Sequence, residues 1–120
     1  MTLRVAAAQA ESTYGEVGAN VKTAVDLVER AAQQAARVVV LPELFLTGYA
    51  PEAWSLDDCL DAPTDPRLQP LADAADRAGA VVVAGAAMRR GPDQATISLL
   101  AFDAHGAVTD EPRLPNPPTT

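Results

Sequence analysis

The sequence predicts an α/β layer fold, and three observations carry that expectation. Val38–Leu41 and Ala80–Ala86 are short, unbroken apolar runs rich in valine, as buried strands are. Stretches with apolar residues at helical spacing precede each run, the alternation that builds parallel strands through crossover helices. Hydrophobic residues reach 48 % but aromatics only 4 %, so alanine, valine and leucine dominate. That palette suits helices packed on short strands better than a β-sandwich.

The elements follow in order. Leu3–Gln9 reads as a buried strand, and Glu11–Gly18, with two glycines, as a loop. Asn20 is a favourable residue to cap a helix whose stripe is Val21, Ala24, Val25, Val28, Ala31, Ala32 and Ala35. Lys22, Asp26, Glu29, Arg30 and Gln33 fall on its wet face. Val38–Leu41 is expected as a central strand covered on both sides, ended by Pro42. Leu44–Leu60 is irregular, punctuated by Gly48 and Pro51, with acidic residues at Asp57, Asp58 and Asp61. A second helix is expected from Asp65-Pro66, with Leu68, Leu71, Ala72, Ala75 and Ala78 inward and Gly79 closing it. Strands at Ala80–Ala86, Ala95–Asp103 and Ala107–Thr109 complete the order, joined by turns at Gly91-Pro92-Asp93 and Asp103-Ala104-His105-Gly106. Pro112–Thr120 carries four prolines, which cannot sustain a ladder, and reads as an extended tail.

With 120 residues the chain has room for one domain that hides somewhat under roughly 70 % of its surface. A net charge of −7 repels phosphate backbones, so nucleic acid is not an expected partner. No apolar run is long enough to cross a membrane, and the N-terminus lacks the layout of a signal peptide. A single cysteine, Cys59, rules out an internal disulfide and fits a reducing compartment; the expected location is cytoplasmic.

Four segments carry a resemblance. They are Val5–Gln9 (VAAAQ) followed by Gly15, Glu16 and Asn20; Val38–Tyr49 (VVVLPELFLTGY); Val81–Ala86 (VVVAGA); and Leu99–Gly106 (LLAFDAHG). In this order they resemble the carbon–nitrogen hydrolases of the nitrilase superfamily, the second segment most specifically. The resemblance implies a partial α-β-β-α sandwich, with residues 1–111 as the N-terminal part of such a domain and 112–120 as the tail. It implies hydrolysis of a small amide or nitrile by a Glu-Lys-Cys triad, without metal or organic cofactor. In such a triad the thiolate attacks carbon, the carboxylate is general base and the lysine steadies the oxyanion. The glutamate maps onto Glu43, just past a strand's C-terminal end, where open α/β sheets collect ligands.

The other triad members have no counterpart. Counting on from Gly106, the lysine position falls at Arg113 and Leu114, and a guanidinium is not equivalent to an ammonium. Lys22, the one lysine, lies on a helix's wet face. Cys59 sits within LDDCLD, where neighbouring carboxylates oppose a thiolate, and it precedes the lysine position instead of following it. His105 is a turn residue with no second ligand beside it. The expectation is a truncated hydrolase, through a frameshift or early stop, that is inactive alone. Half of a split enzyme and a non-catalytic binding or oligomerisation module are the alternatives, with a homo-oligomer or partner chain covering the exposed sheet. A nucleotide-binding domain is disfavoured because no glycine-rich loop follows the first strand. The LTGYAPE stretch, Leu46–Glu52, also resembles the glutaminase domains of NAD synthetases. Aliphatic amidase, nitrilase and carbamoyl hydrolase activities stay open.

Overall fold

A computed structural model describes residues 2–49 and 55–112. In chain order they form β1 (Val5–Ala7), α1 (Val17–Gln33), β2 (Val38–Val40), α2 (Gln69–Ala78), β3 (Val81–Gly91), β4 (Gln94–Phe102) and β5 (Val108–Pro112). Two short 3₁₀ turns, Leu56–Asp58 and Pro66–Leu68, lie between β2 and α2. The five strands make one sheet in sequence order. β1, β2 and β3 are parallel, joined through α1 and α2, and β4 and β5 return antiparallel.

Strand alternation gives the sheet two unlike faces. Val39, Val82, Ala84, Leu100 and Phe102 point to one side and are buried against the stripe Val21, Ala24, Val28, Leu71 and Ala75 of the two helices. Each large apolar side chain buried this way contributes on the order of 1.5–3 kcal/mol. On the other face Val38, Val81 and Val83 are half-buried and Val40 is 39 % exposed. β2 is therefore covered on one side only among the described residues, which corrects the expectation of a strand covered on both. An unbroken valine run does not say how many layers pack on it.

Two helix boundaries also differ from expectation. α1 starts at Val17 rather than after Asn20, and Asn20 lies buried inside it. The helix ends at Gln33, so Ala35 leaves the expected stripe and takes a left-handed turn at φ 62°. Asp65-Pro66 opens a 3₁₀ turn, capped by the Asp65 side chain at the Arg67 amide, and α2 proper begins at Gln69. Gly79, at φ 60°, closes α2 as expected, because a left-handed C-terminal residue suits glycine.

β3 runs on to Gly91, beyond the expected Ala86, and β5 runs from Val108 to Pro112. Pro112 is the last residue of the outer strand, a place that asks for no ladder amide. The proline-rich tail from Arg113 onward lies outside the described residues.

Candidate functional site

β3 outlasts β2, so its far half needs partners other than a strand. The segment from Leu41 to Leu60 provides them. The Leu41 amide donates to the Val83 carbonyl at 2.8 Å and the Leu46 amide to Gly85 at 3.0 Å. The Ala87 amide donates to Thr47 Oγ1 at 2.9 Å, inside the protein. Leu60 then donates to the Ala87 carbonyl and accepts from the Arg89 amide, at 2.9 and 2.7 Å. The described parts of this irregular loop are thus pinned along one strand edge.

Glu43 stands where that loop leaves β2. Leu44, Phe45 and Leu46, directly after it, are buried at 3, 2 and 0 % exposure, while Glu43 itself is exposed. Leu44 adopts φ 61°, a left-handed conformation that is rare for a leucine. The turn is closed by the Phe45 amide on the Pro42 carbonyl and the Gly48 amide on the Leu44 carbonyl, at 3.2 and 2.7 Å. Burying three apolar residues in succession, with a left-handed step at the first, leaves Glu43 turned outward at the end of the parallel strands.

Two glycines make room for this turn. A Cβ on Gly85 would stand 2.9 Å from the Glu43 Cα and would collide with the Leu44 amide nitrogen. Gly48, at φ 84°, lies so close to the Tyr14 backbone that a Cβ there has no space. The loop before α1 is tied to the same turn. Asn20 Nδ2 donates to the carbonyls of Thr13 and Leu46 at 2.8 and 3.1 Å, and its Oδ1 accepts from the Thr13 amide at 2.8 Å. The Gly15 amide donates to the Thr47 carbonyl at 3.0 Å. Asn20 is a clamp between two loops rather than the helix cap its side chain suggested.

Of the other singled-out residues, Cys59 packs with Leu44 and Ala87 in a second, small apolar cluster. Cys59 is buried at the end of the Leu56–Asp58 turn, its thiol donating to the Ser55 carbonyl at 3.7 Å. Burial raises its pKa, and Asp58 and Asp61 add to this against the opposing pull of Arg89. Lys22 lies exposed on α1. His105 is exposed in the β4–β5 turn, its amide held by Asp103 Oδ1 at 2.8 Å. Arg113 lies outside the described residues. Among the described residues no cluster of three His, Cys, Asp or Glu side chains could hold a metal ion, and no helix is long and apolar enough to cross a membrane. From the sequence, Gly15 stands only as part of a motif and Asn20 as a motif member and helix cap, while Thr47 and Gly85 have no role of their own. A polar residue near a glycine was the available signal for Asn20 and Thr47. Gly85, one small residue in an Ala/Val strand, offered almost none.

Comparison with known proteins settles the family. The sequence model for carbon-nitrogen hydrolase matches residues 4–113. The chain belongs to the carbon-nitrogen hydrolase family. An arylacetonitrilase from Macrophomina phaseolina is 28 % identical over 116 residues, covering 88 % of this chain and 34 % of that protein. One from Fusarium vanettenii is 42 % identical over 53 residues, covering 44 % of this chain and 16 % of its own length. Among solved structures, an amidase from Nesterenkonia sp. superposes with a TM-score of 0.71 at 27 % identity, covering 89 % of this chain and 40 % of that one. A CN-hydrolase superfamily protein from Xanthomonas campestris superposes at 0.75 and 25 % identity, covering 94 % and 41 %. This carbon-nitrogen hydrolase chain therefore spans well under half the length of these relatives. Its helix–sheet layer is the shared part of an amidase- and nitrilase-like fold.

Proposed function

We propose that this chain forms the part of a carbon–nitrogen hydrolase that carries the general base, and that Glu43 is that base. The single observation behind this reading is the pinned turn at the C-terminal end of β2. It sets Glu43 at an exposed position on a backbone that buried leucines, Asn20 and Gly85 hold in place. A base whose backbone the scaffold fixes suits proton transfer, where geometry comes before pKa.

The chemistry needs a thiol and an ammonium supplied alongside it. In an amide, Glu43 takes the thiol proton as sulfur attacks the carbonyl carbon, and the ammonium meets the developing oxyanion. The proton passes to the departing amine, ammonia leaves, and water activated by the same carboxylate hydrolyses the thioester. Neither Cys59 nor Lys22 is offered for these roles. Cys59 is buried with its thiol held protonated, and Lys22 projects from the helical layer. The 120 residues are accordingly inactive by themselves.

A half enzyme completed by another chain is a second reading, favoured by the bare sheet face that leaves Val5 55 % and Val40 39 % exposed. Both readings are tested by joining residues 1–112 to the complementary C-terminal part of the Nesterenkonia amidase and measuring ammonia released from small amides and nitriles. The unfused chain should release none. The fusion should be active, and Glu43→Gln should lower its kcat by about 10²–10⁴-fold. A Glu43→Gln fusion as active as its parent would remove Glu43 from the mechanism.

A further inference from the structure

We propose that the free edge of β1 is a docking site for an extended, acidic segment of another protein chain, which adds to the sheet as a sixth strand. The inference does not depend on the role given to Glu43.

The first observation is the edge itself. β1 pairs only with β2 among the described strands. The Arg4 carbonyl and the Ala8 amide are spent on Arg37 and Val40. By the alternation of a strand, the amides and carbonyls of Val5 and Ala7 then point away from β2, toward the open edge. The second is the space beside it. A groove of about 400 Å³ runs between β1 and the last turns of α1, floored by Ala6, Ala8, Leu27 and Ala31. Small residues on the strand leave room there for the side chains of an added neighbour.

The third observation is charge, and it selects the occupant. The chain has 16 acidic and 9 basic residues, yet this groove is lined by Arg4 and Arg30 with Gln9 and Gln34 and by no carboxylate. Arg67, Arg77, Arg89 and Arg90 each form an ion pair, whereas neither Arg4 nor Arg30 does among the described residues. Arg4 instead donates to the Gln34 carbonyl at the end of α1, at 2.7 Å, and so leans over the groove. A second copy of this acidic chain would meet net repulsion, but a local run of carboxylates would meet two cations.

The pleat dictates the pattern of the segment. Residues facing α1 enter the groove and should carry carboxylates that reach Arg4 and Arg30. Residues between them lie beside Val5 and Ala7 on the bare face and should be apolar. Main-chain bonds to the edge would supply affinity, and the alternating side chains specificity.

The test is fluorescence anisotropy with a labelled, end-blocked peptide of alternating glutamate and valine, against a lysine–valine peptide of equal length. The chain should bind the acidic peptide saturably and the basic one not at all, and added salt should weaken binding. Arg30→Glu, an exposed change on α1, should weaken binding by about fivefold or more. Ala7→Pro, which removes an edge amide without touching the β1–β2 ladder, should abolish it. Should Ala7→Pro unfold the chain by circular dichroism, Arg4→Glu takes its place with the same expectation as Arg30→Glu. Equal binding of both peptides, no binding, or indifference to these substitutions would overturn the proposal. So would sedimentation showing a dimer that Arg30→Glu disrupts, which would assign the edge to a second copy.

Discussion

Gly85 lies directly beneath Glu43: a single added carbon on Gly85 would come within 2.9 Å of the Glu43 Cα. The relationship explains how an exposed carboxylate can occupy a fixed place. The backbone of the Pro42–Thr47 turn rests on β3 at Gly85, where β3 has no side chain. The Leu46 amide bonds to the carbonyl of that same glycine at 3.0 Å.

Gly85→Ala should therefore lift the turn off β3 and destabilise the fold by about 1–3 kcal/mol, as overpacking does. Urea denaturation measures the cost, and amide chemical shifts locate it. Changes confined to residues 42–47 and their neighbours on β3 are expected. An alanine variant as stable as the parent, with an unshifted turn, would mean that the close approach is not real.

Asn20 should be equally intolerant, for a polar reason. Asn20→Ala leaves the buried Leu46 carbonyl without its donor, at a cost of about 1–3 kcal/mol. Asn20→Asp should cost more than alanine, since a carboxylate would face the Thr13 and Leu46 carbonyls. Thermal or urea midpoints rank the three proteins. An aspartate variant that matched the parent would contradict the clamp.

Cys59 should behave as a sheltered thiol. Its pKa is raised, by burial first, so the folded chain should react with iodoacetamide far more slowly than the urea-unfolded chain. Removing the opposing cation in Arg89→Gln should push the thiol further up. The stability tied to this raised value is present at low pH and lost as pH rises through the folded pKa. Rapid labelling of the folded protein at neutral pH would show an open site.

Acid should first loosen two local structures. The Asp65 carboxyl is held low by the hydrogen bond from the Arg67 side chain. The Asp103 carboxyl is held low by the His105 and Ala107 amides. Both folded values lie below the unfolded ones, so their stabilisation is present above the unfolded aspartate pKa and is lost as pH falls through the folded values. Asp65→Asn and Asp103→Asn should each flatten the acid limb of stability against pH. Curves that superpose on the parent's would remove these carboxylates from the acid transition.

The readable parts of this fold were those with local causes. Gly79 ends α2 because its own φ is positive, and Leu71, Ala72 and Ala75 face inward because helical spacing puts them on one side. Asn20 misled because a side chain that suits a helix cap suits a buried clamp equally well. Only the arrival of Leu46 from 26 residues away decides between them. The ends of β3 were unreadable for a similar reason: Met88 and Arg89 extend the strand because Leu60 and β4 pair with them.

By itself the sequence determined the layer class, the order of its elements, the family and Glu43 as the carboxylate of interest. Periodicity, glycine placement and a contiguous motif all act over a few residues. Tertiary structure alone decided what holds Glu43 in place, which face of the sheet is covered, and that Arg4 and Arg30 share one groove. Those outcomes depend on contacts between segments far apart in the chain, where a missing Cβ at Gly85 or a shared carbonyl at Leu46 counts for more than any local preference.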